Sequence, residues 1–262
     1  MLPLAGPQFP GSLDELLAAL RNGFAARGVT VRDVQADGEW PRVSQLSVDL
    51  TGAQLSRATR MEKEATAAPP GLHIENFLIS ATPLFFENTP VHLELRATKA
   101  ECGFARDSAG QPLLQVLRAE SGTVTIEAQR ADLEVALKTF AHDFLAKQGA
   151  DVKSARLDLT DRSPRSLTFR AEITAKAFVM TARVVVTGQL DLDVQLNLRV
   201  RDLATSGDGM IATLAGSFLR PRFAEIEKRA IPLAAHSFAG VTLRNVHLSG
   251  GNSLRIEARF GA

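Results

Sequence analysis

The stretch FVMTARVVVTGQLDLDVQLNLRVR, from Phe178 to Arg201, decides how the rest of the chain is read. From Leu190, the positions Leu190, Leu192, Val194, Leu196, Leu198 and Val200 are apolar. Asp191, Asp193, Gln195, Asn197, Arg199 and Arg201 fill the other parity. Strand side chains alternate between faces, so this pattern predicts a long strand with one apolar and one wet face. The eleven residues from Leu190 to Val200 would run about 35 Å at roughly 3.3 Å each. Upstream, Phe178, Met180, Ala182, Val184 and Val186 alternate with Val179, Thr181, Arg183, Val185 and Thr187. Gly188-Gln189 lies between the two runs, and the reading is a long hairpin turning there. Such a sheet has an apolar face that helices, a partner or a lipid must cover.

Composition narrows the classes. The chain has 262 residues, 45% of them apolar, with a formal net charge of +1. Near-zero charge gives no bulk field for nucleic acid, and none is expected as a partner. Fourteen Phe and no Tyr suit a dry interior, because Phe needs no hydrogen-bond partner when buried. Cys102 is the single cysteine, which excludes an internal disulfide and a cysteine-based zinc site and reads as a small half-buried thiol. Met1 to Ser12 holds Pro3, Pro7 and Pro10 and no basic residue, so residues 1–11 read as a flexible proline-rich leader and not as a secretory signal. The longest apolar tracts, Phe77–Phe86 and Ala230–Leu243, each carry proline and are too short to span a membrane. The expected location is cytoplasmic, or peripheral on the cytoplasmic side of a membrane.

In chain order, Ser12 caps a helix whose apolar face is Leu13, Leu16, Leu17, Leu20 and Phe24, ended by Gly28. Strands follow at Val29–Val31 and Val43–Leu50, joined by a loop holding Trp40, the only tryptophan. Trp40 reads either as a rim residue packed on the sheet or as an interfacial anchor. Gln54–Ala67 reads as helix, and Leu72–Ile79, Leu84–Phe86, Val91–Ala97, Leu113–Leu117 and Thr123–Ala128 as strands. A second helix covers Arg130–Lys147 with Leu133, Leu137, Phe140, Ala141 and Phe144 on its face. Strands at Val152–Leu159 and Leu167–Ile173 flank a turn at Asp161–Pro164. Asp202–Gly209 reads as a polar break. Met210–Ala230 reads as helix in two pieces, interrupted at Pro221. Val241–Leu248 and Leu254–Phe260 form a hairpin with a phase shift between Leu243 and Val246. Residues 13–51 and 130–174 share one order of elements, which suggests an internal repeat within a single domain spanning the chain.

Catalytic signatures are scarce. His73, His92, His142, His236 and His247 fall in no metal-ligand spacing. His142-Asp143 are helix neighbours that point apart. His236-Ser237 has no nucleophile elbow. Asp191 and Asp193 belong to a regular polar stripe. Asp202–Gly209 lacks the closing glutamate of a calcium loop. No phosphate-binding glycine loop occurs, and no cofactor is expected. What remains is an apolar surplus beside a small basic group, Arg220, Arg222, Lys228 and Arg229, which can meet anionic headgroups or serve as a solvated face.

Three blocks then carry a resemblance. They are Leu72–Phe77 with Ala81–Phe86 and Thr89–Leu93; Gly122–Ile126 with Ala131–Leu133 and the helix to Lys147; and Pro221–Ala230 with Phe238–Leu243 and the Val246–Phe260 hairpin. Their order resembles the bacterial LmeA-like phospholipid-binding family. The resemblance implies an α+β fold, an elongated, strongly curved antiparallel sheet wrapped around long helices, similar to tubular lipid-binding folds. It also implies a non-enzymatic protein that holds a phospholipid or other acyl-chain lipid in an apolar groove. The groove residues expected are Phe77, Ile79, Leu84, Phe86, Phe140, Phe144, Phe178, Met180, Phe218, Leu219 and Phe223. Trp40, Arg220, Arg222, Lys228 and Arg229 are expected at the headgroup or membrane. The alternative is a structural or assembly module whose apolar face is covered by its own helices or by a partner. A hydrolase using His142 or His236 ranks last.

Overall fold

Ser12 does cap the first helix: its hydroxyl accepts the Glu15 N–H at 3.3 Å, and Glu15 accepts the Gly11 N–H at 2.7 Å. This computed structural model describes residues 1–55, 70–146, 150–177, 180–208, 210–232 and 243–261. Among them lie three helices: α1 (Leu13–Ala26), α2 (Arg130–Leu145) and α3 (Met210–Lys228). The strands are β1 (Leu2–Pro3), β2 (Asp33–Glu39), β3 (Arg42–Asp49), β4 (Gln54–Leu55), β5 (Pro70–Phe86), β6 (Thr89–Arg106), β7 (Pro112–Arg118) and β8 (Ser121–Gln129). They continue as β9 (Ala150–Ser163), β10 (Ser166–Ala177), β11 (Met180–Leu192), β12 (Asn197–Asp208), β13 (Ala230–Pro232), β14 (Arg244–Ser249) and β15 (Ser253–Gly261).

The α+β expectation is therefore overturned. The protein is mostly β, in a ten-stranded sheet ordered β14-β15-β8-β6-β5-β3-β2 with β1, β4 and β7 paired off that path, and a five-stranded sheet ordered β13-β12-β11-β10-β9. The helices do not form an axis for a sheet to wrap. Each packs on its own neighbours: α1 on β1 and β2, α2 on β9, α3 on β12 and β11. The first sheet is also mixed, because β5 runs parallel to β3 and β4.

By packing, the chain groups into two compact units. One holds residues 1–127, 234–245 and 257–262; the other holds 128–233 and 246–256. In the first unit, β3, β5, β6 and β8 set their apolar residues in register. Leu46 pairs with Phe77 and Phe77 with Ala97; Val48 pairs with Ile79, Ile79 with Leu95 and Leu95 with Val124. All seven are buried. Gly122 extends the first of these rows, and the Phe260 ring occupies the space its side chain would take. The proline-rich N-terminal segment has a defined place in this unit. Leu2 and Pro3 pair with Leu114 and Leu113, Ala5 N–H donates to Ala19 O at 2.9 Å, and Leu2 and Leu4 are buried. It crosses α1 at Gly23, where a Cβ would lie 2.4 Å from the Pro3 carbonyl oxygen.

The second unit corrects the reading of Phe178–Arg201. The hairpin does not turn at Gly188-Gln189. Gly188 is inside β11, where a Cβ would meet the Phe169 ring at 2.6 Å and Leu203 at 2.8 Å. The turn falls at Asp193–Leu196, in the middle of the unbroken alternation. Asp193 Oδ1 accepts the Gln195 and Asn197 backbone N–H groups at 2.9 Å each, and Leu196 takes φ 61°. The turn residues happen to continue the binary pattern, so periodicity alone does not register the reversal. Asp202–Asp208 likewise continues β12 and is not a break. Pro221 sits within a continuous α3 and does not divide it. Of the helix read at Gln54–Ala67, Gln54–Leu55 is β4 and the rest lies outside the described residues.

The Asn197 N–H groups hold the Asp193 carboxyl below its usual range. A depressed carboxylate pKa adds stability that is present above the unfolded value and is lost as pH falls through the folded one. Asp193→Ala is thus expected to lower Tm at pH 7, and its deficit against the parent should shrink in acid. Asp193→Asn, which keeps an accepting oxygen, should retain most of the neutral-pH Tm. Thermal melts from pH 7 to pH 3 check both.

Candidate functional site

Unit 2 carries the candidate site, on the apolar face of its meander. Register puts Leu157 beside Ala171 and Val186, Leu159 beside Phe169 and Gly188, and Leu167 beside Leu190 and Val200. One end of this face is sealed by α2. Ala141 and Leu145 pack with Ala150, Val152 and Ala175, and Ile173 lies against them. Leu133, Leu137, Ala141 and Leu145 recur every four residues and form the inward stripe of α2. Glu134 fixes the helix to β9 by accepting the Leu157 N–H at 2.9 Å. At the other edge, Leu219, Phe223 and Glu227 form the half-buried stripe of α3, and Glu227 accepts the Leu203 N–H at 2.8 Å.

Between those anchors the cover is incomplete. Leu157, Phe169, Val186, Leu190, Leu198 and Val200 are only half-buried. On the helices, Val135 is 65% exposed, Phe140 70% and Ile226 40%. The gap is local, since Leu159, Leu167 and Ala171 on the same face are buried, as Phe77, Ile79 and Leu84 are in unit 1. Apolar side chains left in water cost about 25 cal/mol for each Å² that a ligand or partner could cover.

The expected groove residues are not brought together. Phe77, Ile79 and Leu84 belong to the filled interior of unit 1, and Phe86, at the end of β5, is 45% exposed. Phe140, Leu219 and Phe223 lie in unit 2. Phe178 lies outside the described residues, as do the side chains of Phe144, Met180 and Phe218. Sequence reading missed Phe169, Val186, Leu190 and Val200 as site residues. Their alternation was visible, but it does not report how completely a face is covered.

Trp40 is half-buried in unit 1. Its ring stacks on Phe104 at 6.1 Å, Phe104 stacks on Phe9 at 5.5 Å, and the Arg106 guanidinium lies 4.8 Å over Phe9. Arg220, Arg222, Lys228 and Arg229 are exposed along and just after α3. His142 is exposed beside Asp143, with 3.8 Å between Nδ1 and Oδ1, and His236 lies outside the described residues. No group of three or more metal-ligating side chains occurs among the described residues.

Cys102 is fully buried, and burial pushes its thiol up to about 12 from 9.0. The thiolate is the reactive form, so native protein is expected to resist iodoacetamide at pH 8 and to be labelled only on unfolding. A raised thiol pKa contributes stability that is full below about 9 and is lost as pH rises towards 12, roughly 4 kcal/mol in all. Cys102→Ala should flatten stability against pH in that window, which denaturant titrations from pH 8 to pH 11 measure.

No family model, curated protein or solved structure matches the chain. The resemblance to the LmeA-like family therefore stands on the quoted sequence blocks alone, and the fold it implied is not the one formed. No described helix is long and apolar enough to cross a membrane.

Proposed function

We propose that the protein is a non-enzymatic binder of an acyl-chain lipid, held on the half-covered apolar face of unit 2. One observation carries the reading: half-buried aliphatic and aromatic side chains, Phe169, Val186, Leu190 and Val200, on one face of the sheet, with Phe140 and Val135 exposed on α2, which packs on β9. The chemistry suits alkyl chains, since each buried CH₂ contributes about 0.8 kcal/mol and no polar group is needed to orient the chain. The exposed Arg220, Arg222, Lys228 and Arg229 supply cations for an anionic headgroup or a membrane surface next to the Leu219 and Phe223 stripe. Transient contact with a bilayer from the cytoplasmic side is part of this proposal.

The test is titration of the whole chain with a phospholipid bearing a fluorescent acyl chain. Saturable emission enhancement, reversed by unlabelled phospholipid, is the expected result. Emission that rises linearly with no saturation and no competition counts against the proposal.

A further inference from the structure

We infer that the outer edge of β9 is built to pair with the same edge of a second copy of the chain, and that Glu134 of α2 latches it shut. Among the described residues, β9 is the last strand of its sheet and pairs with β10 alone. An open edge offers backbone N–H and C=O groups to any strand that can lie beside it. At Leu157 one such N–H is already taken, by Glu134 Oε1 at 2.9 Å. A carboxylate on a backbone N–H makes a charge-assisted bond, which an incoming strand must displace. Towards the start of β9, Ala141 and Leu145 hold α2 on Ala150 and Val152. Towards its end, Gly250 N–H donates to Asp161 Oδ1 at 2.5 Å. The stretch left for pairing is Ser154–Thr160.

The sequence of that stretch chooses the partner. Set antiparallel to itself about Leu157, β9 brings Leu157 opposite Leu157, Arg156 opposite Asp158, Ala155 opposite Leu159 and Ser154 opposite Thr160. Apolar meets apolar, cation meets anion and hydroxyl meets hydroxyl. The neighbouring strand extends the charge pattern, because within one copy Arg156 pairs with Glu172 and Asp158 with Arg170. Across the joint the row reads Glu172, Arg156, Asp158, Arg170, alternating in sign, and two-fold symmetry generates it twice. Other registers lose this match. Centring on Asp158 sets that carboxylate against its own counterpart, and centring on Arg156 does the same with guanidiniums. Centring on Leu159 sets Arg156 against Arg162. Like charges directly opposite destabilise a strand pair. A second copy therefore fits this edge in one register, and the N–H at the centre of that register is the one Glu134 holds.

The experiment is sedimentation velocity of the full chain over a concentration series, with Tm measured alongside. The parent and Glu134→Gln, which keeps an accepting oxygen, are expected to sediment as monomers. Glu134→Ala should form dimers, with self-association tightened by about tenfold or more for the loss of one charge-assisted bond. Adding Arg156→Asp to Glu134→Ala should return the monomer, and adding Asp158→Arg to those two should bring the dimer back. A monomeric Glu134→Ala protein overturns the inference. So does a parent that dimerises as strongly as Glu134→Ala, or association, dimeric or polydisperse, that ignores both charge changes.

Discussion

Gly23→Ala is expected to destabilise the first unit by about 1–3 kcal/mol, the usual cost of overpacking a close contact. The sign runs against local propensity, since alanine is the better helix former by about 1 kcal/mol. The new Cβ would sit 2.4 Å from the Pro3 oxygen, 2.6 Å from the Pro3 carbonyl carbon and 2.8 Å from Leu4 Cα. All three are backbone atoms, so no rotamer change relieves the clash. Either α1 shifts or the N-terminal strand leaves β7. Departure would uncover Leu2 and Leu4, which are 4 and 3% exposed, and give up the Leu4 N–H bond to Pro112 O at 3.0 Å. Denaturant titration gives the loss, and limited proteolysis should show cleavage within residues 1–12 well before the parent is cut there. A Gly23→Ala protein as stable as the parent would mean that the crossing of β1 over α1 is looser than the structure has it.

Val200→Glu and Phe140→Glu are expected to abolish saturable uptake of the fluorescent phospholipid, or weaken it at least tenfold. Phe140 is 70% exposed, so a carboxylate there takes nothing from the fold. Val200 is half-buried beside Leu190, and a charge there stands where an acyl chain would lie. An unpaired carboxylate in an apolar contact costs several kcal/mol unless it becomes protonated. Val194→Glu is the control. Val194 is 86% exposed at the tip of the β11–β12 turn, off the apolar row, and its replacement should leave uptake unchanged. Equal loss in all three variants would point to general charge repulsion and not to an acyl site. Normal uptake by both Val200→Glu and Phe140→Glu, with Tm held, would remove this face from the proposal.

Local elements were legible where a chemical signal marks an end. Ser12 and Gly28 bracket α1, and Gly250-Gly251 sits in the last hairpin, whereas the turn read at Asp161–Pro164 falls at Pro164-Arg165, with Asp161–Ser163 inside β9. The phase shift between Leu243 and Val246 coincides with Asn245 at φ 47°, and both flanking apolar residues are buried. What the residues did not disclose was non-local. Parallel pairing of β3 with β5 depends on segments that are not neighbours in the chain. The turn at Asp193 was hidden because Val194 and Leu196 keep the alternation, although only Leu196 is buried. The candidate site was half legible for a related reason. Phe77 and Phe169 are both phenylalanines in strands, yet one is sealed by Leu46 and Ala97 in register and the other is left half-covered. Hydrophobicity reports what a residue prefers, and coverage depends on which other segments reach it.

Native mass spectrometry of the freshly purified chain, followed by solvent extraction, shows whether the protein carries a lipid. The expected mass exceeds the polypeptide by one phospholipid or other acyl-chain lipid, lost on denaturation and recovered in the extract. A bare polypeptide mass, unchanged after incubation with liposomes containing anionic phospholipid, would contradict it and leave the apolar face of unit 2 to a protein partner.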